Sequence, residues 1–212
     1  MSSWWSIVLG AVVVHVISGC GGDGSTDSGS GGEGGAATAP EPDAVNISLA
    51  SALIRPWDTQ KEEWDGSSSA SSEEIDALLS ALANVNPYAA ALEYVSNLAA
   101  DGWAPPDPFG QIELFTGGQW RSDLQIDIPP TQDTFNPPLY NDGWPNIPVE
   151  QEMRVRVVLW DEDVVNDDPI GSVELNRDDM MNAYFAGGVY PVNTSDQDAG
   201  SILFVSVSIT AD

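Results

Sequence analysis

Two stretches of this chain hold carboxylates at spacings that suit metal chemistry. One is Asp101-Gly-Trp-Ala-Pro-Pro-Asp107-Pro-Phe109, directly ahead of a strand pattern. The other runs Trp160-Asp161-Glu162-Asp163-Val164-Val165-Asn166-Asp167-Asp168-Pro169-Ile170-Gly171, between two strand patterns. Runs of like charge are usually solvated turns. Where a strand turns over, however, carboxylates can converge with others, and loops at one end of a β-sandwich bring such sets together. Converging carboxylates repel one another unless a cation sits between them. Ca2+ suits the task, because it takes about 6–8 oxygen ligands in flexible geometry and needs no nitrogen or sulfur. An EF-hand does not account for Asp161-x-Asp163: its sixth position would be Asn166 instead of Gly, and its twelfth Ser172 instead of Glu.

The rest of the composition narrows the alternatives. Among 212 residues, 33 are acidic and 6 basic, a formal net charge of -27. Neutralising nucleic-acid phosphates requires clustered Lys and Arg, and the chain offers only Arg55, Lys61, Arg121, Arg154, Arg156 and Arg177. No nucleic-acid partner is expected, and unaided docking on anionic lipid is disfavoured for the same reason. His15 and Cys20 are the sole histidine and cysteine. Cleavage ahead of Cys20, with that thiol lipidated, would leave no histidine and no free thiol, excluding Ser-His-Asp and Cys-His catalysis and His/Cys zinc sites. No catalytic residue is assigned, and a non-enzyme is expected. The competing readings are a metal-free structural domain and a carboxylate-based sugar-binding or glycosidase protein. Trp57, Trp64, Trp103, Trp120, Trp144 and Trp160 could serve a sugar, although Trp120 and Trp160 fall in strand patterns and are expected in the core.

The first twenty residues read as an address. An uncharged apolar run from Trp4 to Ile17 is too short to span a bilayer, which takes about 20 apolar residues, but suits a secretory signal. Ile17-Ser18-Gly19-Cys20 resembles the bacterial lipobox, which implies lipidation of Cys20. Residues 20–43 are rich in Gly, Ser and Asp and carry almost no side chain able to build a core, so they read as a flexible linker. The expected organisation is a signal peptide over 1–19, the linker over 20–43 and a folded domain over 44–212. The expected location is the bacterial cell envelope, with the lipid anchor in the membrane. The outer membrane is favoured, because Gly21 stands where an inner-membrane lipoprotein of some bacteria carries aspartate.

Elements must hold the acidic clusters in place. Val45, Ile47 and Leu49 alternate with polar residues in a strand running to Ile54. Ser71 and Glu74 form a capping box ahead of Ile75, Leu78, Leu79, Leu82 and Val85, and Asn86-Pro87 starts a second helix ending at Asp101-Gly102. This is a helical insert over about 71–100. Strand patterns follow at 110–116, 122–128, 143–149, 152–160, 170–176, 188–192 and 201–210, with a brief helix at 177–185 capped by Asp178-Asp179. Short strands at this spacing predict an antiparallel sandwich or barrel.

Four of these features, in order, resemble the C2 domain: Asp107-Pro-Phe before a strand, Thr134…Asn136-Pro137, alternating Val157 and Leu159 into Trp160-Asp161-Glu162-Asp163, and Asp168-Pro-Ile170-Gly171. The resemblance implies a mainly β, eight-stranded antiparallel C2-like β-sandwich, here with a helical-hairpin insertion near loop 1. It implies Ca2+ held in loop 3 by Asp161, Asp163 and Asp168, helped by the Glu162 carbonyl, and in loop 1 by Asp107 and one earlier aspartate. Asp101 has the family's separation from Asp107 and is preferred. Asp65, in Trp64-Asp65-Gly66, is the alternative. The strand 45–54 becomes the first of eight, in the permuted topology that begins just before loop 1. Trp103, Val164 and Val165 stand at loop tips, where apolar side chains can dip into a bilayer. A protein, lipid or glycan is the expected ligand of the calcium loops.

Overall fold

The computed structural model describes residues 40–66, 68–163, 167–195 and 199–212, without the side chain of residue 141. The signal peptide, Cys20 and most of the linker lie outside these residues.

The first strand, β1 (Ala44–Ile54), buries Val45, Ile47 and Leu49 on one face. Its last three residues, Ala52, Leu53 and Ile54, are all buried, which marks an end covered on both sides. The covering element is a helical hairpin, α1 (Ser72–Leu82) and α2 (Pro87–Ala100). The Ser71 Oγ accepts from the Glu74 N–H at 3.2 Å while the Glu74 carboxylate accepts from the Ser71 N–H at 2.6 Å, as the capping box requires. Asn86 caps α2, with Pro87 in its first turn. The Tyr94 hydroxyl donates to the Glu74 carbonyl at 2.9 Å and ties the two helices.

The remaining strands are β2 (Pro108–Thr116), β3 (Gln119–Trp120), β4 (Ile126–Ile128), β5 (Pro138–Pro148), β6 (Arg154–Asp161), β7 (Asp168–Leu175), β8 (Val189–Asn193) and β9 (Ile202–Ala211), with α3 (Arg177–Ala186) between β7 and β8. They form two antiparallel sheets, β5-β1-β9-β8 and β3-β2-β6-β7, with β4 also paired to β2. Ile47, Leu49 and Val207 from the first sheet share one core with Ile112, Leu114, Val157 and Leu159 from the second. The mainly β antiparallel sandwich expected from the sequence is therefore the fold observed. A second core, with Leu53, Trp57, Leu203 and Phe204 packed on Leu78, Ala91, Val95 and Leu98, seats the hairpin.

Several details differ from expectation. The described residues hold nine strands instead of eight. Residues 122–124 form a 3-10 turn, closed by the Leu124 N–H donating to the Arg121 carbonyl at 3.0 Å, and Arg121 donates to both carboxylate oxygens of Asp123 there; the turn splits the expected strand 122–128. β3 and β4 then pair with successive parts of β2, Phe115–Thr116 and Gly110–Ile112, so two short strands fill one edge position. β5 begins at Pro138, ahead of the expected strand 143–149, and reaches full length through irregular pairing with β1. The cap of α3 is Asn176, whose Oδ1 accepts from the N–H groups of Asp178 and Asp179. Trp120 and Trp160 are half-buried on the outer sheet face and not in the core, which holds Trp57 and Trp144.

Candidate metal centre

Three loops leave the same end of the sandwich. Loop 1 (55–107) joins β1 to β2 and contains the hairpin, loop 2 (129–137) joins β4 to β5, and loop 3 (162–167) joins β6 to β7. Register brings their roots together, since Asp161 stands opposite both Pro108 of β2 and Asp168 of β7.

Asp161 is the centre of the arrangement. In β6 it continues the inward phase of Val155, Val157 and Leu159, so the strand delivers a carboxylate where a core residue would point. It is 1% exposed. Its Oδ1 accepts from the Asp107 N–H at 2.6 Å, and the Asp107 Oδ1 accepts from the Asp133 N–H at 2.6 Å. The Asp107 carbonyl accepts from the Glu162 N–H at 3.1 Å. Loops 1, 2 and 3 are thus stitched together through two aspartate side chains. Asp133 takes a left-handed backbone conformation (φ 52°), which aspartate tolerates better than most residues.

The electrostatics are one-sided. The Asp161 carboxyl is pushed up to about 6, chiefly by burial. The Asp107 N–H pulls it down, while the charges of Asp65, Asp163 and Asp107 push it further up. Asp65 is raised too, by burial and then by Asp107, Asp163 and Asp133. Among the described residues, every charge acting on these two carboxylates is negative. Asp65, Asp107, Asp133, Asp161 and Asp163 therefore share one field.

The sequence candidates divide accordingly. Of the two loop-1 aspartates, Asp65 is the one whose carboxyl feels the charges of Asp107, Asp163 and Asp133. Asp101 is the exposed C-cap of α2, and the hairpin separates it from Asp65 along the chain. Trp64 anchors Asp65: its ring packs against both cores, and its Nε1 donates to the Arg55 carbonyl at 3.0 Å. Asp163 is half-buried, with its N–H directed to Asp167 Oδ1 at 3.3 Å. Glu162 and Asp168 are exposed, and neither is among the charges acting on Asp161. Trp103 is half-buried with its ring edge-on to Trp57, centroids 6.0 Å apart. Val164 and Val165 lie outside the described residues. Sequence reasoning missed Asp133, whose signal was an aspartate in the turn immediately before Thr134…Asn136. Among the described residues, no group of three or more His, Cys, Asp or Glu side chains is placed to hold a metal ion. The carboxylates share a field without sharing a ligand point. Their chemistry, all oxygen and uncompensated, fits a hard cation.

No family model matches the sequence, and no curated protein matches it. Similar solved structures include human GIVD cytosolic phospholipase A2, at TM-score 0.41 and 14% identity over 80% of this chain. This chain spans 17% of that one. A C2 domain of plant extended synaptotagmin 1 gives TM-score 0.40 and 15% identity over 82% of this chain and 98% of its own. The calcium-bound tandem C2 domains of extended synaptotagmin 2 give 0.39 and 14% over 80% of this chain and 46% of theirs.

Proposed function

We propose that the chain is a non-enzymatic C2-like module that binds Ca2+ through Asp65, Asp107, Asp161 and Asp163. In this reading lipidated Cys20 and the linker tether it to the bacterial cell envelope, and the calcium loops engage a protein, lipid or glycan partner. The observation that carries the calcium reading is the buried Asp161 carboxylate, whose charged neighbours are all acidic. A cation removes both the burial cost of that charge and the repulsion around it. Binding draws Asp65 and Asp163 inward onto a frame that the Asp133–Asp107–Asp161 hydrogen bonds have already set. An extracellular module of this kind binds at about 10⁻⁴–10⁻³ M, so occupancy follows the surrounding medium.

The test is a calorimetric titration of the full chain with Ca2+, paired with melting in EDTA and in millimolar Ca2+. Binding to the native state raises the midpoint. The expected result is a Ca2+-dependent rise that Mg2+ does not reproduce and that Asp161→Asn abolishes. An unchanged midpoint with no heat of binding removes calcium from the account and leaves a metal-free structural domain.

A further inference from the structure

Four of the six basic side chains hold a carboxylate: Arg121 pairs with Asp123, Arg154 with Glu174, Arg156 with Glu113 and Arg177 with Glu41. Arg55 and Lys61 hold none among the described residues, and both line the same cavity. This cavity, of about 180 Å³, lies between the start of loop 1 and helix α1, with Trp57, Leu78 and Leu79 among its walls. Leu79 is 57% exposed, so the apolar wall opens to solvent. In a chain of charge -27, two unpaired cations beside an apolar wall are the reverse of the average surface.

Arg55 is the sharper signal. Its backbone is fixed, with its N–H donating to the Ser201 carbonyl at 2.7 Å and its carbonyl taking the Trp64 indole. Its guanidinium is half-buried, and burial lowers its pKa with no carboxylate opposing the shift. A partly desolvated guanidinium with no counter-ion is a receptor for an anion, preferably a planar carboxylate that can take two parallel hydrogen bonds. The one acid in the wall is Asp58, whose Oδ1 is occupied by the N–H groups of Gln60 at 2.8 Å and Glu62 at 2.9 Å.

We infer that this cavity is a binding site for a small organic anion with an apolar body, an aryl or short alkyl carboxylate, held by Arg55 and Lys61 and seated against Trp57, Leu78 and Leu79. The volume agrees: an apolar cavity of about 150 Å³ accommodates benzene, whereas a whole lipid does not fit. This site is separate from the proposed calcium centre, and its ligand needs no metal.

The experiment titrates the full chain with benzoate and with octanoate in EDTA, following tryptophan fluorescence and calorimetric heat. Acetate supplies charge alone and benzyl alcohol supplies the apolar body alone. Saturable binding of either probe, at least tenfold tighter than both controls, is the expected result. Arg55→Gln should weaken it by about tenfold, the scale of one charge-assisted hydrogen bond. Leu79→Glu, an exposed helix position that leaves the fold intact, should weaken it as well. Asp58→Asn keeps the turn acceptor, removes the one repelling charge and should tighten binding. Equal affinity for acetate, no saturable signal, or a site indifferent to both Leu79→Glu and Asp58→Asn overturns the inference. Because the titration is run in EDTA, its outcome is independent of whether the aspartate loops take Ca2+.

Discussion

Asp161 sets the behaviour of the loop end one residue at a time. Its carboxyl titrates near 6 in the fold and near 3.9 in an unfolded chain, so the native state holds more protons between those values. Stability in EDTA therefore falls as pH rises through that window, and stays lower above it. Urea midpoints in EDTA should be higher at pH 5 than at pH 7, and Asp161→Asn should flatten that difference while raising the midpoint at pH 7. Excess Ca2+ should reverse the sign for the wild-type chain. Gly171 is a second decisive position. A Cβ there would stand 2.0 Å from the Ala199 carbonyl oxygen, where the Ser201 N–H also binds the Ile170 carbonyl. Gly171→Ala should cost about 1–3 kcal/mol, read as a lowered urea midpoint with an unchanged slope.

At the scale of elements, the sequence carried most of what was needed wherever pattern and local chemistry agreed. The alternation in β1, β2 and β6, the capping box at Ser71 and the Asn86-Pro87 start of α2 are short-range signals, and the structure honours them. Signals that depend on distant partners were hidden. The coupling of Asp65 to Asp107 exists only once chain folding has placed those groups, whereas the Arg121–Asp123 fork joins side chains two residues apart and was open to a local reading. The burial of Asp161 was in principle readable, since it shares parity with Val155, Val157 and Leu159. The hairpin's dependence on β9 is measurable. Phe204 is 1% exposed and meets Tyr88 edge-on at 5.5 Å, so Phe204→Ala should cost about 3–5 kcal/mol. Ser71→Ala, which removes only the cap, should cost about 1 kcal/mol. Urea denaturation of the two variants separates these scales.

For the molecule as a whole, net charge opposes compaction. With -27 formal charges, self-repulsion weakens the folded state, and added salt screens it over a Debye length of about 10 Å at 0.1 M. In EDTA the melting midpoint should climb as NaCl is raised, smoothly and without saturation. A specific Ca2+ effect is distinguished by saturating at concentrations too low to change ionic strength. The two ends of the sandwich differ in kind. Val45 pairs with Ala211 at one end, while Ile54 and Asp161 lead into the acidic loops at the other. A strand of eleven residues spans about 35 Å, so the acidic loops stand far from Ala44, where β1 begins.

The pairing of β1 with β9 also governs the order of assembly. Ser48 and Ser208 meet across 160 positions of sequence, and β1 completes its other edge only with β5. During synthesis the opening strand must wait, half-satisfied, until the closing one emerges. Contacts of such long range make folding slow, and a nascent chain halted before Ile202 would present β1 with a bare edge, the kind of template on which neighbouring chains aggregate.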